Sequence, residues 1–142
     1  MNQTVTLLQD IVAGQKMGVE AVDKMLGRIT ESQLINNLNC QREKYAQKME
    51  CAKQRLAALG KPPHQTSAFA QLGLEVGIKL NLKTDDTPSH TAEMMIRGGA
   101  MGLIELAQSL NENQKASNEA KILARDCISD EIDNINMWKY LL

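Results

Sequence analysis

Two charged residues, Arg42 and Glu131, fall on helical stripes that are otherwise apolar, so any interior chemistry should begin with them. An ion inside a bundle needs a partner, because an isolated buried charge costs far more than a fold can tolerate. The spacing predicts that Arg42 and Glu131 pair with each other, or with Gln15, across the interior. The long Arg42 stem reaching out to solvent is the alternative. The other reactive side chains give weaker signals. Cys40, Cys51 and Cys127 are odd in number and have no close-spaced pair, which suits a reducing cytoplasm and reads as small, partly buried thiols. Met94, Met95 and Met101 could offer soft ligands to copper, but at helical spacing they read as core filling. The two histidines, His64 and His90, neighbour no sequence that would activate a serine or cysteine. No nucleophile elbow, phosphate-binding loop or dinucleotide fingerprint occurs.

Composition narrows the classes further. The 142 residues carry 16 Lys+Arg against 17 Asp+Glu, a formal charge of −1, without the basic excess that phosphate contacts require. Phe69, Trp138, Tyr45 and Tyr140 are all the aromatics, too few for base-stacking platforms. No nucleic-acid partner is expected. The first residues, MNQTVTLLQDIV, lack the basic flank and long apolar run of a signal peptide, and no stretch approaches a membrane span. A cytoplasmic location is the expectation, with no membrane partner.

Four long segments have helical periodicity. The first, Thr4 to Gly27, aligns Leu8, Ile11/Val12, Gln15, Gly18/Val19, Val22 and Met25/Leu26, with Gly27 at its close. The second, Glu31 to Leu59, is capped by Thr30 or Ser32 and stopped by Gly60-Lys61-Pro62-Pro63. Its seam is Leu34, Leu38, Arg42, Tyr45, Met49, Ala52, Leu56 and Leu59. After Thr87 as cap and Pro88 at the first helical position, a third runs to Asn111, burying Ala92, Met95/Ile96, Gly99, Leu103, Leu106 and Leu110. The last, Ser117 to Tyr140, aligns Ala120, Ala124, Ile128, Glu131, Ile135 and Trp138. Between the second and third, Ser67 to Lys83 alternates like a strand, yet a lone strand would have no partner. As a shorter helix it carries two opposed stripes, one of them Leu74, Ile78 and Leu82, which a second subunit could cover. The prediction is an all-α four-helix bundle over residues 1–142, one domain, with an additional shorter helix between helices two and three.

Glycine pairs four residues apart, Gly14/Gly18, Gly73/Gly77 and Gly98/Gly102, interrupt these helices at about 0.5–1 kcal/mol each relative to alanine. They imply close helix approach, a groove, or space for a bulky neighbour.

The helix order and length, with the stretch Ala92-Glu93-Met94-Met95-Ile96-Arg97-Gly98-Gly99-Ala100-Met101-Gly102, resemble the ferritin-like four-helix bundles, and among these the small bacterial members of unknown function. The resemblance implies a di-iron site built from one Glu on each of two helices and a Glu-x-x-His on each of the others. The matching positions are Glu20, Glu43 with Ala46 three residues on, Glu105, and Glu131 with Asn134 three residues on. Both histidines are missing, and Glu20 and Glu105 lie beside the apolar stripes. No cofactor is therefore expected. The leading expectation is a non-enzymatic bundle acting through its surface as a homodimer or larger assembly. The alternative is a metal- or redox-linked protein with a degenerate carboxylate site.

Overall fold

The computed structural model describes residues 2–63 and 87–142, and every element among them is helical. Helix α1 (Gln3–Leu26) opens on Asn2, whose side-chain oxygen accepts from the Val5 amide at 3.2 Å. Gly27 closes it with φ −68°, a right-handed value that does not use glycine's freedom. Helix α2 (Ser32–Ala58) is capped by Glu31, not by Thr30 or Ser32: the Glu31 carboxylate accepts from the Gln33 and Leu34 amides at 3.2 and 2.8 Å. A carboxylate at a helix start satisfies free amides and meets the positive end of the helix dipole together. The stop at its far end is a Schellman turn. Gly60 takes φ +68°, its amide reaches Ala57 O, and the Lys61 amide reaches Leu56 O at 2.9 Å. Helix α3 (Pro88–Glu112) starts as its sequence predicts, with the Thr87 hydroxyl accepting from the His90 amide and Pro88 in the first turn. Helix α4 (Asn118–Trp138) is capped by Ser117 and ends in a 3₁₀ turn over Lys139–Leu141.

Cross-helix pairs fix the directions. Along the α2–α4 seam, Trp138 meets Gln41, Glu131 meets Tyr45, Asp130 meets Lys48 and Glu119 meets Arg55, so one number falls as the other rises. The two helices are antiparallel. The same holds for α1 and α2, where Asp23 pairs with Arg42 and Gln9 reaches Pro62, and for α1 and α3, where Asp10 receives the Ser109 hydroxyl and Gln3 accepts from the amide of Lys115, just past α3. Helices α2 and α3 therefore run in the same direction. The chain leaves α2 at one end of the bundle and enters α3 at the other.

Two apolar clusters fill the interior. One, where α1 begins, is aliphatic: Leu7, Leu8, Ile11, Leu56, Leu106, Ala120 and Ala124 are among its members. The other gathers Val22, Met25, Leu38, Tyr45, Met95 and the fully buried Trp138. Ser67 to Lys83, read as a shorter helix, lies outside the described residues, and with it Leu74, Ile78, Leu82 and the Gly73/Gly77 pair. Among the described residues no helix is long and apolar enough to cross a membrane.

Candidate functional site

Where the two clusters meet, α2 and α4 turn a tyrosine and a glutamate inward. The Tyr45 hydroxyl donates to the Glu131 carboxylate, 2.7 Å from Oε2 and 2.9 Å from Oε1, and both residues are buried. Glycines on the facing helices create the space they occupy. A Cβ at position 18 would stand 2.7 Å from the Tyr45 ring, and one at position 99 would overlap the Glu131 carboxylate. Gly18 on α1 and Gly99 on α3 are thus the seats of this pair; for Gly18 this is the bulky-neighbour role that the Gly14/Gly18 spacing had suggested. Gly98 and Gly102 are different: a Cβ there would meet nothing within 4 Å among the described residues. They border a cleft of about 50 Å³ between α1 and α3, walled by Met17, Met94 and Met95 and reaching Tyr45 and Glu131. A smaller cavity of about 20 Å³, lined partly by Gln15 and Cys127, touches Glu131 as well.

Electrostatics follow from this placement. Burial pushes the Glu131 carboxyl above its ordinary range, and the Asp130 charge adds to that, while the Tyr45 hydrogen bond pulls the other way. Burial, with Glu131 beside it, raises the Tyr45 phenol well above its usual value, so the phenol stays a donor. Burial also pushes the Cys127 thiol up to about 12, which keeps it protonated and unreactive. Cys40, by contrast, is exposed.

The predicted partnership of Arg42 with Glu131 does not form. Arg42 is half-exposed and pairs with Asp23, Nε to Oδ1 at 2.7 Å and a second nitrogen at 3.3 Å from Oδ2. Its long stem lets the guanidinium reach the surface, as the alternative reading allowed. The α2 face that turns inward carries Gln41 and Tyr45 in place of Arg42, and Gln41 accepts from the Trp138 indole at 2.8 Å. Gln15 is buried and lines the smaller cavity with Glu131. The four carboxylates that the ferritin-like resemblance would use are not brought together. Glu20 and Glu43 are exposed, Glu43 accepting from Gln47 at 3.2 Å, Glu105 is half-buried, and only Glu131 turns inward. Among the described residues no three Cys, His, Asp or Glu side chains form a group that could hold a metal ion. The α4 motif Glu131-x-x-Asn134 does place both side chains in the interior.

Sequence reasoning missed Tyr45 as the partner of Glu131. The signal was present, because Tyr45 lies on the same α2 seam as Arg42, and a phenol has no flexible stem with which to escape.

No family model matches the chain, and no curated protein matches it. Among solved structures it is similar to the crystal structure of a DUF305 fragment from Deinococcus radiodurans. That likeness has a TM-score of 0.71 at 15% identity and covers 99% of this chain and 95% of the other. At such low identity the likeness shows the fold, a helical bundle, and nothing of the chemistry.

Proposed function

We propose that the chain is a small-molecule-binding bundle of ferritin-like topology that acts without catalysis. The observation that supports the binding role is an acid–phenol pair buried at the edge of a cleft that glycines leave open. Interior glycines at 98 and 102 each weaken α3 by about 0.5–1 kcal/mol, and no side chain among the described residues fills the space they leave. A ligand that settles there recovers packing that the empty fold forgoes. Topology supports the finer class: α2 and α3 run in one direction and are joined by a single long connection, an arrangement ferritin-like folds use.

Amide NMR of the full chain tests this with three isosteric probes: 1-propanol, n-propylammonium and propionate. At least one is expected to shift the amides of Gly98, Gly99 and Gly102, and Gly98→Leu, which fills the cleft, to abolish the shift. No response to any probe, or an unchanged response in Gly98→Leu, would refute the proposal. Self-association in the cytoplasm is a separate proposal, supported by the apolar pattern of Leu74, Ile78 and Leu82. Light scattering at micromolar concentration tests it, with a clean monomer counting against it.

A further inference from the structure

Charge and hydrogen bonding are out of balance at Glu131. An ionised carboxylate offers about four lone-pair positions, and the Tyr45 hydroxyl supplies one proton to them. Among the described residues no Lys, Arg or His nitrogen forms an ion pair with Glu131. Lys48 is held by Asp130 at 2.9 Å, Arg42 by Asp23, and Arg55 by Glu119. A buried carboxylate without a counter-ion among the described residues is costly, and the cleft leads from open space directly to it.

On the reading that this cleft binds a ligand, the geometry points to a small primary alkylammonium ion as the class it takes. The ammonium head brings one positive charge and three donors to a carboxylate that, among the described residues, has no ion-pair partner and only the Tyr45 donor. The short alkyl stem lies along Met17, Met94 and Met95, over the bare backbone at Gly98 and Gly102. A divalent cation fits poorly, since calcium and magnesium need six or more oxygen ligands and the cleft offers one carboxylate and one phenol. An organic anion would meet the Glu131 charge head-on.

The titration with n-propylammonium chloride, 1-propanol and sodium propionate, at matched ionic strength near neutral pH, separates the outcomes. The expected result is cation binding in the millimolar range, about tenfold tighter than the alcohol, with propionate silent. Glu131→Gln, which keeps the shape and an acceptor for Tyr45, should bring the cation down to the level of the alcohol. Should that variant fail to fold, lowering the pH on the natural protein until Glu131 protonates does the same. Its titratable neighbours are Tyr45 and Cys127, which stay neutral there, and Asp130, which Lys48 holds. Equal binding of alcohol and cation would overturn this inference while leaving the binding role intact. Silence from all three probes would overturn both.

Discussion

At the end of the bundle where α1 begins, buried polar groups are matched. Ser109 donates its hydroxyl to Asp10 at 2.6 Å, Asn113 donates to the Ser109 carbonyl at 2.7 Å, and Gln9 donates to the Pro62 carbonyl at 2.8 Å. Arg55 Nε is the exception there, on a guanidinium otherwise paired with Glu119. The opposite end buries Thr91, His90, Gln41 and Asn134, and in each one side-chain atom lacks a partner among the described residues: Thr91 Oγ1, His90 Nε2, Gln41 Nε2 and Asn134 Nδ2. The first end carries the turn between α3 and α4, where Asn113 caps α3, and the close of α2, where Gln9 meets the Pro62 carbonyl. The second surrounds Trp138 and Tyr45, amphipathic rings that bring polar tips into the interior with them. Buried polar groups without partners cost about 1–3 kcal/mol each, so stability is concentrated in the aliphatic end and adaptability in the aromatic one. The Tyr45–Glu131 pair stands at the boundary.

The largest expected effect comes from emptying each end in turn. Trp138→Ala removes the largest fully buried side chain and strands Gln41, at a cost of about 3–5 kcal/mol. Leu56→Ala in the aliphatic cluster should cost about 2–5 kcal/mol. Chemical denaturation measures both, and a loss below about 1 kcal/mol for Trp138→Ala would contradict the packing described around it.

Adjacent glycines on α3 should respond with opposite signs. Gly99→Ala drives a methyl into the Glu131 carboxylate and should destabilise by about 1–3 kcal/mol. Gly98→Ala meets nothing and should stabilise by about 0.5–1 kcal/mol. Melting temperatures moving the same way would break the distinction between a seat and an open cleft.

The smallest effects contrast matched with orphaned hydroxyls. Ser109→Ala should cost about 1 kcal/mol by stranding a hydrogen bond to Asp10, whereas Thr91→Val, which removes an unpartnered hydroxyl of the same shape, should be neutral or stabilising by about 1 kcal/mol. Urea midpoints resolve the pair. Equal losses would mean the two ends do not differ as described.

How far this was legible in the sequence depends on the residue. The helices could be read from the spacing of residues such as Leu8, Leu56 and Ala124, because burial imposes the period. The cap at Thr87 was legible because a hydroxyl just before Pro88 has one main use; Glu31 was not, since a carboxylate can take the same place. Glu131 was recognisable as an interior charge, but its partner was not. Arg42 and Tyr45 lie less than one turn apart on the same seam, and only three-dimensional packing shows which of them is drawn inward. The open space over Gly98 and Gly102 leaves no trace in a sequence, where a glycine that seats a side chain and one that faces a void look alike.

The most direct test of the account is a carbon-13 NMR titration of the Glu131 carboxyl, with and without n-propylammonium. A carboxyl raised by burial is stabilised in its protonated form, so its contribution to stability is complete below the unfolded-state value and lost as pH climbs through the native one. Glu131→Gln should therefore match the natural protein at low pH and exceed it at neutral pH, by about 1.4 kcal/mol per unit of that rise. The account predicts a carboxyl that titrates above the ordinary glutamate range and moves back down when the cation binds. A resonance that titrates like an exposed glutamate, or ignores the cation, would contradict it.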